Sequence, residues 1–247
     1  MDMKEYLLGL YKDITYDPKW LRVENGNGKY MMSTIAPDGE ENVFSRITHY
    51  RVIYETILDL DFKVKLSFKN AIESGASVKL EEFNPFHAKS MDEELADYYL
   101  ENAIFRLSSL WDMLAQLYRL YYRLKIQPDK VNYGRLFTNE KNVTLFGKEG
   151  EQIKDYLEQI ESPEDNLGDD YIMWKGNHKF MQDFRNQMTH RNSPNLTSIS
   201  DFGISLRNPP LYTAKRLVED YVMVSKFIAD IIKKIDKEIM TAVPSGS

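Results

Sequence analysis

Apolar side chains recur at three- and four-residue steps over most of this sequence, the spacing that puts them on one face of an α-helix. A first helix is predicted over about residues 2–15 and ends before Asp17-Pro18, because proline cannot continue a helix and pushes its predecessor out of the α region. Two apolar-rich runs then flank Asn25-Gly26-Asn27-Gly28. Asn-Gly between such runs is a hairpin signal, and a small β-hairpin is predicted at about residues 20–35. From Asn42 to about Ser74 the pattern is helical again, with Ile47, Tyr50, Val52, Tyr54, Ile57, Leu58, Phe62, Leu66 and Phe68 as its apolar positions and Gly75 as its stop.

After a loop through Asn84-Pro85-Phe86, Ser90 precedes Glu93 and Glu94, which reads as an N-cap with acids in the first turn. The most regular stretch follows, from about Met91 to Leu124. Its apolar positions include Leu95, Tyr98, Ile104, Leu107, Leu110, Trp111, Leu114, Leu117, Tyr118 and Tyr121, and Gln127-Pro128 marks its end. Residues 126–148 read as a loop, 149–161 as a shorter helix, and SPEDNLGDD as a polar break. A third major helix is predicted from about Asp169 to Thr189, with Phe180, Phe184 and Met188 as its buried face, and NSPNLTS interrupts it. The last helix is predicted from Pro210 to about Thr241, its apolar face running from Leu217 through Tyr221, Val224, Ile228 and Ile231 to Ile235.

Four long amphipathic helices joined by polar connections predict an all-α fold, an antiparallel four-helix bundle with a small N-terminal β-hairpin. The organisation expected is a helix and hairpin extension over 1–40, a helical bundle over 41–241 and a disordered tail over 242–247. The apolar faces of the second and last major helices also suit a dimer surface.

Composition narrows the chemistry. The 247 residues suffice for one sizeable core, and 43% hydrophobic with 28% charged residues describe an ordinary globular chain. The absence of cysteine removes disulfides, thiolate metal sites and a thiol nucleophile, and fits a reducing compartment. The N-terminus lacks the basic region and long apolar run of a signal peptide, and no stretch approaches the roughly 18 apolar residues of a membrane span. A cytoplasmic protein without a membrane partner is expected. The net charge of −6 argues against a protein that tracks duplex nucleic acid, but not against an enzyme that grips one or two phosphates. Most of the 16 Tyr and 12 Phe sit at helical core spacing, which favours packing over base stacking.

One segment concentrates reactive groups: FRNQMTHR, residues 184–191, at the end of the third major helix. Asn186 and His190 are four apart and share a polar face. Arg185 lies about 140° from His190, so a straight helix does not bring them together. Either the helix unwinds near Thr189, or two copies meet and build a composite site. The set suffices for RNA cleavage, because RNA carries its own nucleophile, the 2′-OH. Histidine serves as acid or base near neutral pH, arginine holds two phosphate oxygens, and asparagine donates to the phosphate or fixes the histidine. Arg191, Lys179 and Lys175 make the helix locally basic, either as a phosphate-gripping patch or as a solvated face. Asp112, beside Trp111, either orients an active-site arginine or simply solvates its helix. His178 and Asp183 form no recognised ligand set, so no metal is expected. There is no phosphate-binding glycine loop and no nucleophile elbow, and no cofactor is expected.

The run Arg185-Asn186-Gln187-Met188-Thr189-His190 resembles the hallmark of the HEPN superfamily, R-x(4–6)-H with a polar residue often following the arginine. The long helix around residues 101–124 is similar to the one that packs beside the motif helix in that superfamily. The resemblance spans about residues 41–240 and is mostly architectural. It implies a helical bundle that dimerises with the two motifs facing each other. It also implies metal-independent endoribonuclease activity in toxin–antitoxin, phage-defence or RNA-processing systems. Arg185 and His190 would be catalytic and Asn186 auxiliary; RNA would be the substrate, with an antitoxin or regulatory protein as a further partner. Some such toxins carry a modifiable tyrosine two residues after the histidine, where this chain has Asn192. Other members have lost activity and bind nucleotides or partners only.

Overall fold

The structure, a computed structural model, describes residues 2–19, 43–78, 83–161, 171–190, 193–200 and 203–242. Among them are helices α1 (Met3–Tyr11), α2 (Val43–Gly75), α3 (Met91–Tyr121), α4 (Tyr133–Thr138), α5 (Glu140–Phe146), α6 (Lys148–Leu157), α7 (Asn177–His190) and α8 (Pro210–Ala242). Strands β1 (Ser198–Ser200) and β2 (Gly203–Ser205) form one antiparallel pair, with Ile199 opposite Ile204. The protein is mostly helical. The hairpin predicted at residues 20–35 lies outside the described residues.

α2 and α3 share the longest interface, and α8 packs on α1, α2, α3 and α7. On α2 the buried positions include Tyr50, Tyr54, Ile57, Asp61, Val64 and Phe68, alternating steps of four and three. That register leaves Val52, Leu58, Phe62 and Leu66 outside, although the apolar pattern had included them. Asp61 occupies a core position because it accepts the Tyr221 hydroxyl and pairs with Lys65 at 2.8 Å. α3 buries Leu100, Ile104, Leu107, Leu110, Trp111, Leu114 and Tyr118. Each such Leu or Ile contributes roughly 1.5–3 kcal/mol. Ser90 caps α3 in a reciprocal box with Glu93, as its sequence implies.

Three stretches differ from the sequence reading. Residues 126–148 are not a loop but a 3-10 turn at Pro128–Lys130 followed by α4 and α5. Asn132 and Asn139 cap these helices by accepting backbone N–H groups, from Arg135 at 3.0 Å and from Lys141 at 3.1 Å. Each helix spans two turns or fewer, too short for a 3.6-residue period to register. Phe137 and Phe146 bury against Tyr118, with ring centroids at 5.0 and 4.9 Å.

The third major helix begins at Asn177, not near Asp169, because the segment from Ile172 to Gly176 is held by α8. The Trp174 N–H donates to Glu219 Oε2 at 2.9 Å and Lys215 Nζ donates to the Ile172 carbonyl at 2.9 Å. Gly176 turns the chain at φ +74°, and a Cβ there would lie 2.5 Å from the Glu161 nitrogen. Finally, the break after α7 contains the β1–β2 pair, whose strands of three residues are too short for an alternation to stand out. No helix among the described residues is long and apolar enough to cross a membrane.

Candidate functional site

α7 stays helical to His190, so the backbone does not unwind at Thr189. Positions 185 and 190 are therefore about 500° of turn apart, roughly 140° around the axis. Met181 and Phe184 anchor α7 in the core. Arg185 lies beside that buried side, on the flank that also carries His178 and Gln182 and faces α3 and Tyr133 of α4.

On this flank a small polar cluster forms. Arg185 is half-buried, and among the described residues its guanidinium makes no hydrogen bond or ion pair. Its charge is felt by Asp112 of α3. Burial pushes the Asp112 carboxyl above the ordinary carboxylate range, and the Arg185 guanidinium and the backbone N–H of Tyr133 pull it back. Tyr133, the first residue of α4, is buried, and its phenol accepts the Gln182 amide at 3.1 Å. Burial raises that phenol as well. Asp112, Tyr133, Gln182 and Arg185 thus come from three elements to one flank of α7. Asp112 is the residue whose orienting role the sequence left open; Tyr133 and Gln182 were not singled out, because only tertiary packing brings α4 beside α7.

Beneath this cluster lies a buried node. Asp220 of α8 is fully buried and receives Trp111 Nε1–H at 3.0 Å and the Tyr156 hydroxyl at 3.0 Å. His178 Nδ1 lies 3.2 Å from the same carboxylate. The His178 ring stands edge-on to Trp111, with centroids 4.7 Å apart, and its Nε2 has no partner among the described residues. Next to it on α8, Glu219 pairs with Lys215 one turn earlier and accepts the Asn177 amide at 2.9 Å, while Arg216 pairs with Glu161 and donates to Asn177 Oδ1 at 2.9 Å. Sequence reading missed this polar stripe. The signal available was four charged residues, 215, 216, 219 and 220, set among apolar positions with opposite charges at i,i+4.

The remaining predicted positions are spread along α7. Asn186 and Thr189 are exposed, and the Thr189 hydroxyl donates back to the Arg185 carbonyl at 3.1 Å. Lys179 is exposed and pairs with Asp183 at 3.0 Å, about 120° around the helix from Arg185. Lys175 is exposed and precedes α7, and its carbonyl accepts Arg216. The backbone places His190 at the helix end, where a C-terminus favours a cation. Arg191 and Asn192 lie outside the described residues. Among the described residues no group of three His, Cys, Asp or Glu side chains is placed to hold a metal ion.

No curated protein and no solved structure matches the chain. A family model does, described as Cthe2314-like HEPN, and it covers residues 59–240. That span takes in about half of α2 and everything from α3 into the last turn of α8, including the Arg185–His190 segment and the whole cluster around it. The chain belongs to the Cthe2314-like HEPN family.

Proposed function

We propose that this protein is a metal-independent endoribonuclease whose active site is built on Arg185, Asn186 and His190. The observation that carries the reading is the state of Arg185: half-buried, beside the carboxylate of Asp112, with its donors unused among the described residues. A guanidinium with its donors unused is free to take two phosphate oxygens. In the reaction the 2′-oxygen forms a bond to phosphorus and the P–O5′ bond breaks. A histidine imidazole takes the 2′ proton and an imidazolium protonates the departing 5′-oxygen, leaving a 2′,3′-cyclic phosphate and a 5′-hydroxyl. Arg185 offsets the charge that builds on the phosphorane, and Asn186 donates to it or steadies the histidine.

Because α7 is continuous through His190, one chain turns positions 185 and 190 apart. The reading therefore takes a homodimer as the active unit, each copy lending groups to a shared cleft. It takes α2, α3, α7 and α8 as an antiparallel four-helix bundle, RNA as substrate with Lys175, Lys179 and Arg191 as outlying phosphate contacts, and a cytoplasmic toxin or defence effector under a protein regulator as the setting. The same divergence of 185 and 190 favours a second reading if no dimer forms, namely a module that binds a nucleotide through Arg185 without cleaving it.

RNA cleavage in EDTA tests the proposal. Wild type is expected to produce cyclic-phosphate ends. Arg185→Ala and His190→Ala are each expected to lose about a hundredfold or more in rate, the usual range for a general acid–base group. Cleavage that survives both substitutions, or that requires added metal, would sink it.

A further inference from the structure

We propose that Asp112 reads the sugar of the nucleic acid: its carboxylate accepts the hydrogen bond of a ribose 2′-hydroxyl next to the phosphate that Arg185 holds, and so separates RNA from DNA. The inference rests on the reading that Arg185 takes a phosphate, which cleavage and nucleotide binding without cleavage share.

Asp112 and Arg185 carry opposite charges, come from different helices and are each half-buried. Charges that lose hydration in this way normally recover it in a direct pair. Here the pair is not closed. The Arg185 charge reaches Asp112, yet no ion pair or hydrogen bond joins the two side chains among the described residues. The donor that the protein does offer Asp112 is the Tyr133 N–H. An ionised carboxylate has about four acceptor positions, so most of its capacity is unused. Nor is Asp112 an ordinary solvated acid on an open face. Ser108 and Ala115, one turn to either side on α3, are buried, which sets Asp112 at the edge of the core.

This edge therefore presents unused donors from α7 and unused acceptors from α3, close enough to feel one another. A ligand that answers both carries anionic oxygens with a hydrogen-bond donor immediately beside them. Phosphate oxygens answer Arg185. Along a nucleic acid the donor nearest the phosphate is the ribose 2′-hydroxyl, on the carbon adjacent to the one that bears the 3′-phosphate; the N–H donors of the bases lie beyond the sugar. DNA lacks that hydroxyl, which is the group that lets a protein tell the two polymers apart. With DNA bound, the carboxylate would face a phosphate with no donor between them, and that repulsion adds to the discrimination. Burial, by lifting the Asp112 carboxyl, also makes it the more basic acceptor.

The test is fluorescence anisotropy in EDTA with a labelled mixed-sequence single-stranded RNA and the DNA of the same sequence. The full chain carries His190→Ala throughout, so that the RNA is spared. RNA is expected to bind at least about tenfold tighter than DNA, as a hydrogen bond to a charged group would give. Asp112→Ala should bring the two affinities within about threefold of each other, and Asp112→Asn, which keeps an amide oxygen as acceptor, should retain part of the preference. Arg185→Ala should weaken both nucleic acids at least about tenfold. Thermal melting checks that each variant folds; if Asp112→Ala does not, an undiminished preference in Asp112→Asn overturns the proposal. Equal affinity for RNA and DNA with Asp112 in place, or a preference that survives Asp112→Ala, overturns it while leaving the phosphate grip standing. So does an altered base preference with the sugar preference intact, which would assign Asp112 to a base edge. Undiminished binding in Arg185→Ala overturns the phosphate reading itself, and this inference with it.

Discussion

Asp220 shows how a single residue ties the candidate site to the core. Its carboxylate takes two donors and faces His178, and all of these groups are buried. Removing it leaves Trp111 Nε1, the Tyr156 hydroxyl and His178 Nδ1 unsatisfied together. A buried donor without a partner costs about 1–3 kcal/mol, so Asp220→Ala is expected to destabilise by roughly 3–5 kcal/mol in urea denaturation. A loss below about 1 kcal/mol would mean the node does not hold the fold. Asp97 offers a pH readout. Burial pushes its carboxyl up to about 6, against the opposing pull of Lys89 at 2.6 Å. The folded state then binds the proton more tightly than the unfolded chain, so this contribution is full below the ordinary aspartate value of 3.8 and is lost as pH rises through about 6. Stability should decline by roughly 2–3 kcal/mol over that window, and Asp97→Asn should flatten the slope.

Among the elements, those the sequence announces are the long ones. α3 and α8 carry enough turns for their apolar period to emerge, and the start of α3 is set by Ser90 and Glu93. Ser90→Ala should cost about 1 kcal/mol, measured by thermal or chemical melting. The start of α7 was misplaced by about eight residues, because Trp174 and Gly176 take their conformation from α8 and not from local preference. Gly176→Ala is expected to destabilise by about 2 kcal/mol or more, since both its positive φ and its contact with the Glu161 backbone resist a side chain. A neutral Gly176→Ala would show that this turn can relax.

At the scale of the whole molecule, the candidate site is a product of assembly. Asp112, Tyr133 and Arg185 are far apart in sequence and meet because α3, α4 and α7 share an edge of the core. If the active unit is a dimer, the initial rate of RNA cleavage should fall with the square of protein concentration once dilution separates the copies. Light scattering should show dissociation over the same range. A rate that stays proportional to concentration as monomer accumulates would count against a shared cleft.

The sequence by itself determined the helical class, the extents of α2, α3 and α8 and the position of the Arg185–His190 segment at the end of a helix, because apolar period, caps and breaks are local properties that a chain writes in order. Only the tertiary structure decided which polar groups stand beside Arg185, which side of α2 stays exposed, and that four charged residues of α8 lie inside. Those outcomes depend on pairings between distant segments: Lys215 finds Glu219 within α8, but Arg216 and Asp220 are tolerated inside because Glu161, Asn177, Trp111 and Tyr156 arrive from elsewhere in the chain.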